Sequence, residues 1–393
     1  MTLKGLARYP FLAGALGLLV AALLSGCATV PEKKPLRFVW PPPPLPARIE
    51  FVRSIVSDED IAKDTTFSQR LVAFLAGEKP TAHRIVEPMG LAVSDDGERV
   101  YVADYAQLAV FVFDFRGKAF TKIGDKEPLA RPVGLALDGQ ERLYVVEQLK
   151  KGVTVIDRRG ARVQFISHPT LEHPVGIALD RKRGRIYVSD SGHTKSKEHT
   201  VKIFDLNGAL VGQLGGEKGT GPGHFLFPTY VAVDAGGNVY VTDTLNSRIQ
   251  VFDPEGKHIK SFGQRGSAWG MFDKPKGIAL DSFGNLYVVD SGWSNVQIFN
   301  QKGQILLPFG GRGPLPGMLK NPTAIAIDGK NRIYVADYLN HRVELYELVN
   351  TTAEDSFISP PGEAGGGDTE QKTRAAKSAP QQPDGTFKGG VPQ

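Results

Sequence analysis

From residue 87 to residue 349 the chain is written in short apolar runs separated by polar turns, and the order of the runs recurs. The fourth recurrence shows the plan. Pro228 leads to Val231-Ala232-Val233-Asp234, a Gly236-Gly237 turn and Asn238-Val239-Tyr240-Val241; Arg248-Ile249-Gln250-Val251-Phe252-Asp253, a Glu255-Gly256 turn and His258 to Phe262 follow. β-branched and aromatic runs of this length, divided by Asp, Gly and Asn, predict four antiparallel strands, A to D. Strands A to C are apolar at nearly every position, as in a strand packed on both faces, whereas D alternates as a strand with one wet face does.

Six segments carry the strand B signature: Tyr101-Val102-Ala103-Asp104, Tyr144-Val145-Val146-Glu147, Tyr187-Val188-Ser189-Asp190, Tyr240-Val241-Thr242-Asp243, Tyr287-Val288-Val289-Asp290 and Tyr334-Val335-Ala336-Asp337. Their tyrosines lie 43, 43, 53, 47 and 47 residues apart. Four strands repeated at this period make one propeller blade, so the predicted fold is an all-β, six-bladed β-propeller over residues 47–350. The sixth copy stops after strand C, at Val343-Glu344-Leu345-Tyr346, which would leave an open sheet edge. Arg48 to Ile55 alternates at strand period without a partner of its own, and is predicted to supply the missing strand. Phe67, Leu71, Phe74 and Leu75, with Thr66 and Gln69 spaced as a capping box, predict one short helix over about 66–76 packed on the propeller. Residues 351–393 lack apolar periodicity and are expected to be disordered.

These residues resemble the NHL repeat family, whose units read roughly Pro-x-Gly-Ile-Ala-Val-Asp, Tyr-Val-x-Asp and Asn-x-Arg-Val-x-Val-Phe. The resemblance covers about residues 87–349. Asn246-Ser247-Arg248 and Asn340-His341-Arg342 match the family turn before strand C, whereas the first three copies depart there. It implies a propeller whose function lies in its loops. The related peptidylglycine amidating lyase takes zinc-ligand histidines from the position after the strand A proline. Here those positions are Met89, Val133, Val175, Thr229, Lys276 and Thr323, so that metal site is not carried over and no metal or other cofactor is expected. Gluconolactonase-like propellers hold a divalent ion in a carboxylate and amide cluster at the channel mouth. Glu87 and Asn321 precede blade prolines and could approach the axis, which keeps a metal-dependent hydrolase or lyase as the alternative to a binding module. A glycan or peptidoglycan receptor is a third reading.

Composition adds a compartment. The 393 residues include one cysteine, Cys27, with 45 glycines and 27 prolines, so the turns are built without disulfides. Lys4 and Arg8 precede an apolar stretch, Pro10 to Leu24, that suits a signal-peptide core better than a permanent span. It ends in Leu24-Ser25-Gly26-Cys27, which resembles the bacterial lipobox. That resemblance implies a signal peptide of residues 1–26 and a mature chain held to the membrane through lipid on Cys27. Ala28 after the cysteine implies, by the same resemblance, sorting to the outer membrane, facing the periplasm or the cell surface. Residues 27–46, with Pro41-Pro42-Pro43-Pro44-Leu45-Pro46, are read as a Pro-rich linker. A net charge of +5 does not mark a nucleic-acid binder, and an exported chain without a Cys cluster would not inherit the RNA-binding or ubiquitin-ligase roles of some NHL proteins.

In a four-stranded blade the B–C and D–A connections share one rim, and here they are the long ones: 190–200, 213–227, 262–274 and 309–321. This long-loop face is the expected binding face, with Trp269, Trp293, Lys195, Lys197, Arg265 and Arg312 as its candidate residues and envelope proteins as partners of a monomeric propeller. Phe225, Phe227 and Phe272 are expected to plug gaps between blades instead. The carboxylate that ends each strand B is expected to bind turn amides rather than a ligand. His193 with His199 and His168 with His173 lack a third ligand, and neither a phosphate-binding glycine loop nor a serine nucleophile elbow is present.

Overall fold

The computed structural model describes residues 38–61 and 83–351, which form six antiparallel sheets arranged in a ring, five of four strands and one of five. Blades 1 to 5 span residues 88–123, 132–167, 174–217, 228–262 and 275–310. Blade 6 takes its inner strands from Pro322–Ile327, Arg332–Asp337 and Arg342–Leu348, and its fourth strand from Ile49–Ile55, far upstream. Strand A of each blade packs on strand A of the next, and that of blade 6 returns to that of blade 1, so the disc is closed.

The strand A sequence explains the close approach. A Cβ on Gly90 would lie 1.9 Å from the Val133 carbonyl oxygen, and one on Gly134 would lie 2.4 Å from that of Val175. Only a residue without a side chain lets neighbouring innermost strands meet there. Outward from the axis, apolar clusters fill each gap between blades. Between blades 5 and 6, for example, Tyr287, Val289, Val296 and Ile298 pack with Ile333, Val335 and Tyr346.

The predicted closure is seen in the register Ile49↔Leu348, Glu50↔Glu347, Phe51↔Tyr346 and Ile55↔Val343. Ile49 and Ile55 are fully buried, in the clusters on the two sides of blade 6. The linker does not keep its predicted length. Val39–Trp40 forms a fifth strand paired to Glu50 and Ile49, so the folded unit begins inside the stretch read as a spacer. The cause is Trp40, whose ring packs edge-on against Tyr346 at 5.8 Å and lies 6.1 Å from Phe309. The signal peptide, Cys27, the helix expected over 66–76 and the tail beyond 351 lie outside the described residues.

Candidate functional site

The long-loop face is framed by the six carboxylates that end the B strands, all nearly or fully buried. Asp104 accepts from the Val86 and Gln107 amides, Glu147 from Ala130, Asp190 from Glu172 and His173, Asp243 from Leu226, Asp290 from Asp273 and Lys274, and Asp337 from Lys320. Each therefore ties a B–C turn to the incoming D–A connection, as a residue kept once per blade is expected to do. Burial raises Asp243, Asp290 and Asp337 above the usual carboxylate range, Asp337 to about 6.

The family Asn before strand C acts in the same frame. Asn246 Nδ2 donates to Asp243 Oδ2 at 2.8 Å and to the Gly219 carbonyl at 2.9 Å. Asn340 Nδ2 does the same with Asp337 at 2.6 Å and Gly313 at 2.9 Å. In blade 5 the equivalent residue is Trp293, and its indole Nε1 donates to the Gly266 carbonyl, also at 2.9 Å. Trp293 thus fills the structural place of an asparagine while leaving its ring 43% exposed.

The structure brings four of the six candidate residues onto adjoining loops. Arg312 Nη2 donates to the Gly292 carbonyl at 2.6 Å, which links connection 311–321 to the turn carrying Trp293. That turn is in turn bonded to connection 263–274, which carries Arg265 and Trp269. Trp269 is 66% exposed, and the Arg265 guanidinium stands 3.6 Å from Asp273. Lys195 and Lys197 are exposed on the B–C loop of blade 3, a separate group. Their loop is fastened by the Lys218 amide to the Lys197 carbonyl and by Lys218 Nζ to the Thr194 carbonyl. Phe225 and Phe272 are fully buried beneath these connections, and Phe227 is partly buried with its ring 4.7 Å from the His199 imidazole.

Sequence reasoning missed the leucines of this face. Leu149, Leu245 and Leu339 occupy the same turn position in blades 2, 4 and 6, exposed by 62%, 51% and 42%, and Leu315 adds 52%. Each stands two residues past a strand B carboxylate or inside a D–A connection, a spacing the repeat alignment already contained. Among the described residues, seven of the fourteen exposed large hydrophobic side chains lie on this face and two, Leu45 and Leu206, on the opposite rim.

Nearer the axis, the channel is not open. Blade 4 carries Tyr230 where blades 1, 2, 3 and 5 carry glycine, and the phenol crosses to donate to the Met89 carbonyl of blade 1, the facing blade. Around the mouth, the residues before the strand A prolines are Glu87, Arg131, His173, Phe227, Lys274 and Asn321. Glu87 lies beside the Tyr338 phenol, whose proton it helps to hold, and the Arg131 guanidinium lies over the Tyr105 ring at 5.3 Å. The histidines pair differently from their sequence spacing: His173 and His193 have ring centroids 5.2 Å apart, His168 bonds Thr170, and His199 accepts the Phe227 amide. Burial, and then His193, lower the proton affinity of His173. No group of three His, Cys, Asp or Glu side chains spaced to hold a metal occurs among the described residues.

Fold and site together define a six-bladed β-propeller with an elaborated loop face and a plugged channel. It contains a repeat of NHL type: the NHL repeat family matches residues 225–252, strands A to C of blade 4. Residues of the chain are 38% identical over 84 residues to the E3 ubiquitin-protein ligase NHLRC1 of Homo sapiens, covering 21% of this chain and 20% of that protein. They are 32% identical over 103 residues to the NHL repeat-containing protein 3 of Mus musculus, covering 26% and 28%. The chain thus spans between a fifth and under a third of the length of these curated relatives. Among solved structures, a gluconolactonase from Xanthomonas campestris superposes with a TM-score of 0.53 at 16% identity, covering 77% of this chain and 96% of that one, a likeness of fold.

Proposed function

We propose that this chain is a lipid-anchored protein of the bacterial envelope whose propeller binds other proteins through its long-loop face. The observation that carries the binding reading is the concentration of exposed apolar side chains on that face, headed by Trp269 and Trp293 with Leu245, Leu315 and Leu339. Exposed apolar groups collected on one surface mark contact sites, and Trp with neighbouring Arg is the composition that anchors them. The loops that present them are cross-linked by side-chain bonds to backbone carbonyls, so little ordering entropy is lost on contact. The anchor rests on the lipobox-like Leu24-Ser25-Gly26-Cys27, which would hold the propeller at a membrane by covalent lipid.

The test places a photo-reactive amino acid at 269, 315 or 206 in the full-length protein in its native envelope. Positions 269 and 315 are expected to give the same discrete adduct, and 206 on the opposite rim none. Equal adducts from all three positions, or adducts from 206 alone, would overturn the assignment of the face.

A further inference from the structure

Two sets of side chains border the mouth of the plugged channel, those just before and just after the strand A prolines. Between them they hold three basic side chains, Arg131, Lys274 and Lys276, and one carboxylate, Glu87, which lies beside Tyr338. Lys276 sits on the innermost strand of blade 5, half-buried, and has no hydrogen-bond or ion-pair partner among the described residues. The equivalent positions in blades 4 and 6 are Thr229 and Thr323, whose hydroxyls are satisfied within the protein: Thr229 bonds the hydroxyls of Thr242 and Thr244, and Thr323 bonds the Pro88 carbonyl. A lysine there answers no such need. Half-burial of an ammonium without a counter-charge costs free energy, which an anion arriving from outside would recover.

We infer that the channel mouth is a binding site for a small anionic group, carboxylate or phosphate, held by Lys276 with Lys274 just ahead of the same strand and Arg131 ahead of strand A of the facing blade. Tyr230 closes the channel across its axis, so the group is held at a blind mouth rather than passed through a pore. Burial, and secondarily the charge of Lys274, lower the proton affinity of the Lys276 amine, as expected where counter-charge is missing. The inference does not depend on the protein-binding reading, because the mouth and the outer apolar rim use different residues.

The experiment titrates full-length protein with inorganic phosphate at constant ionic strength, and in parallel with acetyl-tetraglycine bearing either a free or an amidated C-terminus. Saturable phosphate binding is expected, with an affinity lost at least tenfold in Lys276→Thr, which installs the residue blades 4 and 6 carry and should leave folding intact. Binding of the free-acid peptide but not of its amide would assign the anion to the end of a partner chain, and phosphate binding alone to a free small anion. The proposal is overturned if neither probe binds saturably, or if Lys276→Thr binds phosphate as the parent does. In lysine-methylated parent protein, the Lys276 NMR resonance should move with phosphate while those of the exposed Lys195 and Lys197 stay still.

Discussion

At the scale of the residue, most letters of the repeat have one mechanical duty that can be read from their bonds. Strand A glycines admit the neighbouring backbone, strand B carboxylates hold the incoming loop, and the Asn before strand C fixes that loop's glycine carbonyl. Trp293 gives the sharpest check, because it mixes a structural bond with an exposed ring. Trp293→Asn should restore the bond made in blades 4 and 6 and change stability by less than about 0.5 kcal/mol, while Trp293→Ala should cost about 1 kcal/mol for the lost hydrogen bond. Chemical denaturation of the two variants measures both. If the ring contacts a partner, both variants should weaken cross-linking from position 269 alike. These duties were legible where the repeat was regular. The Trp-for-Asn replacement was not, since an indole N–H in place of an amide N–H shows only once the Gly266 carbonyl is seen beside it.

At the scale of the element, blade 6 differs from blades 4 and 5 in one buried position. Gln250 and Gln297 each accept a loop glycine amide with Oε1, and Gln250 Nε2 donates to Asp243. In blade 6 this residue is Glu344, which accepts from Gly317 at 3.1 Å and from Ser54 of the upstream strand at 2.6 Å. Arg342 faces it at 2.7 Å, and Asp337 adds a second carboxylate nearby. Burial is the largest cause of a Glu344 carboxyl pushed up to about 7, against the partial relief given by Ser54 and Arg342. Its folded-state value therefore lies above the unfolded one, so its contribution is fully present below about pH 4.5 and is lost as pH rises through about 7. Glu344→Gln should raise stability at pH 8, on the order of 2 kcal/mol, and flatten thermal stability between pH 5 and 8. A variant as pH-dependent as the parent in a thermal melt series would refute this. The closing strand itself was legible in Arg48 to Ile55 because a three-stranded last blade demands a partner. The added strand Val39–Trp40 was hidden by the prolines that follow it, and its apolar Phe38-Val39-Trp40 triplet was the signal that could have found it.

At the scale of the molecule, residues 49–55 and 342–348, from opposite ends of the propeller, are fastened into one sheet, and the apolar loop face depends on that closure. Connection 311–321 packs against the last blade: the Gly317 amide is held by Glu344, and the Gly317 carbonyl accepts the Tyr346 hydroxyl. The six-fold plan was readable because blades differ in their loops and agree in their strands. The plug at Tyr230 and the unpaired Lys276 were not, because a single departure from the repeat acquires meaning only when the ring places facing blades together. The most direct measurement of this account is hydrogen–deuterium exchange over residues 49–55 in the full-length protein. The account predicts that these amides are protected to the level of strand D of blade 4, residues 258–262, and that they open together with residues 342–348 as denaturant is added. Rapid exchange of 49–55 while 342–348 remains protected would contradict it.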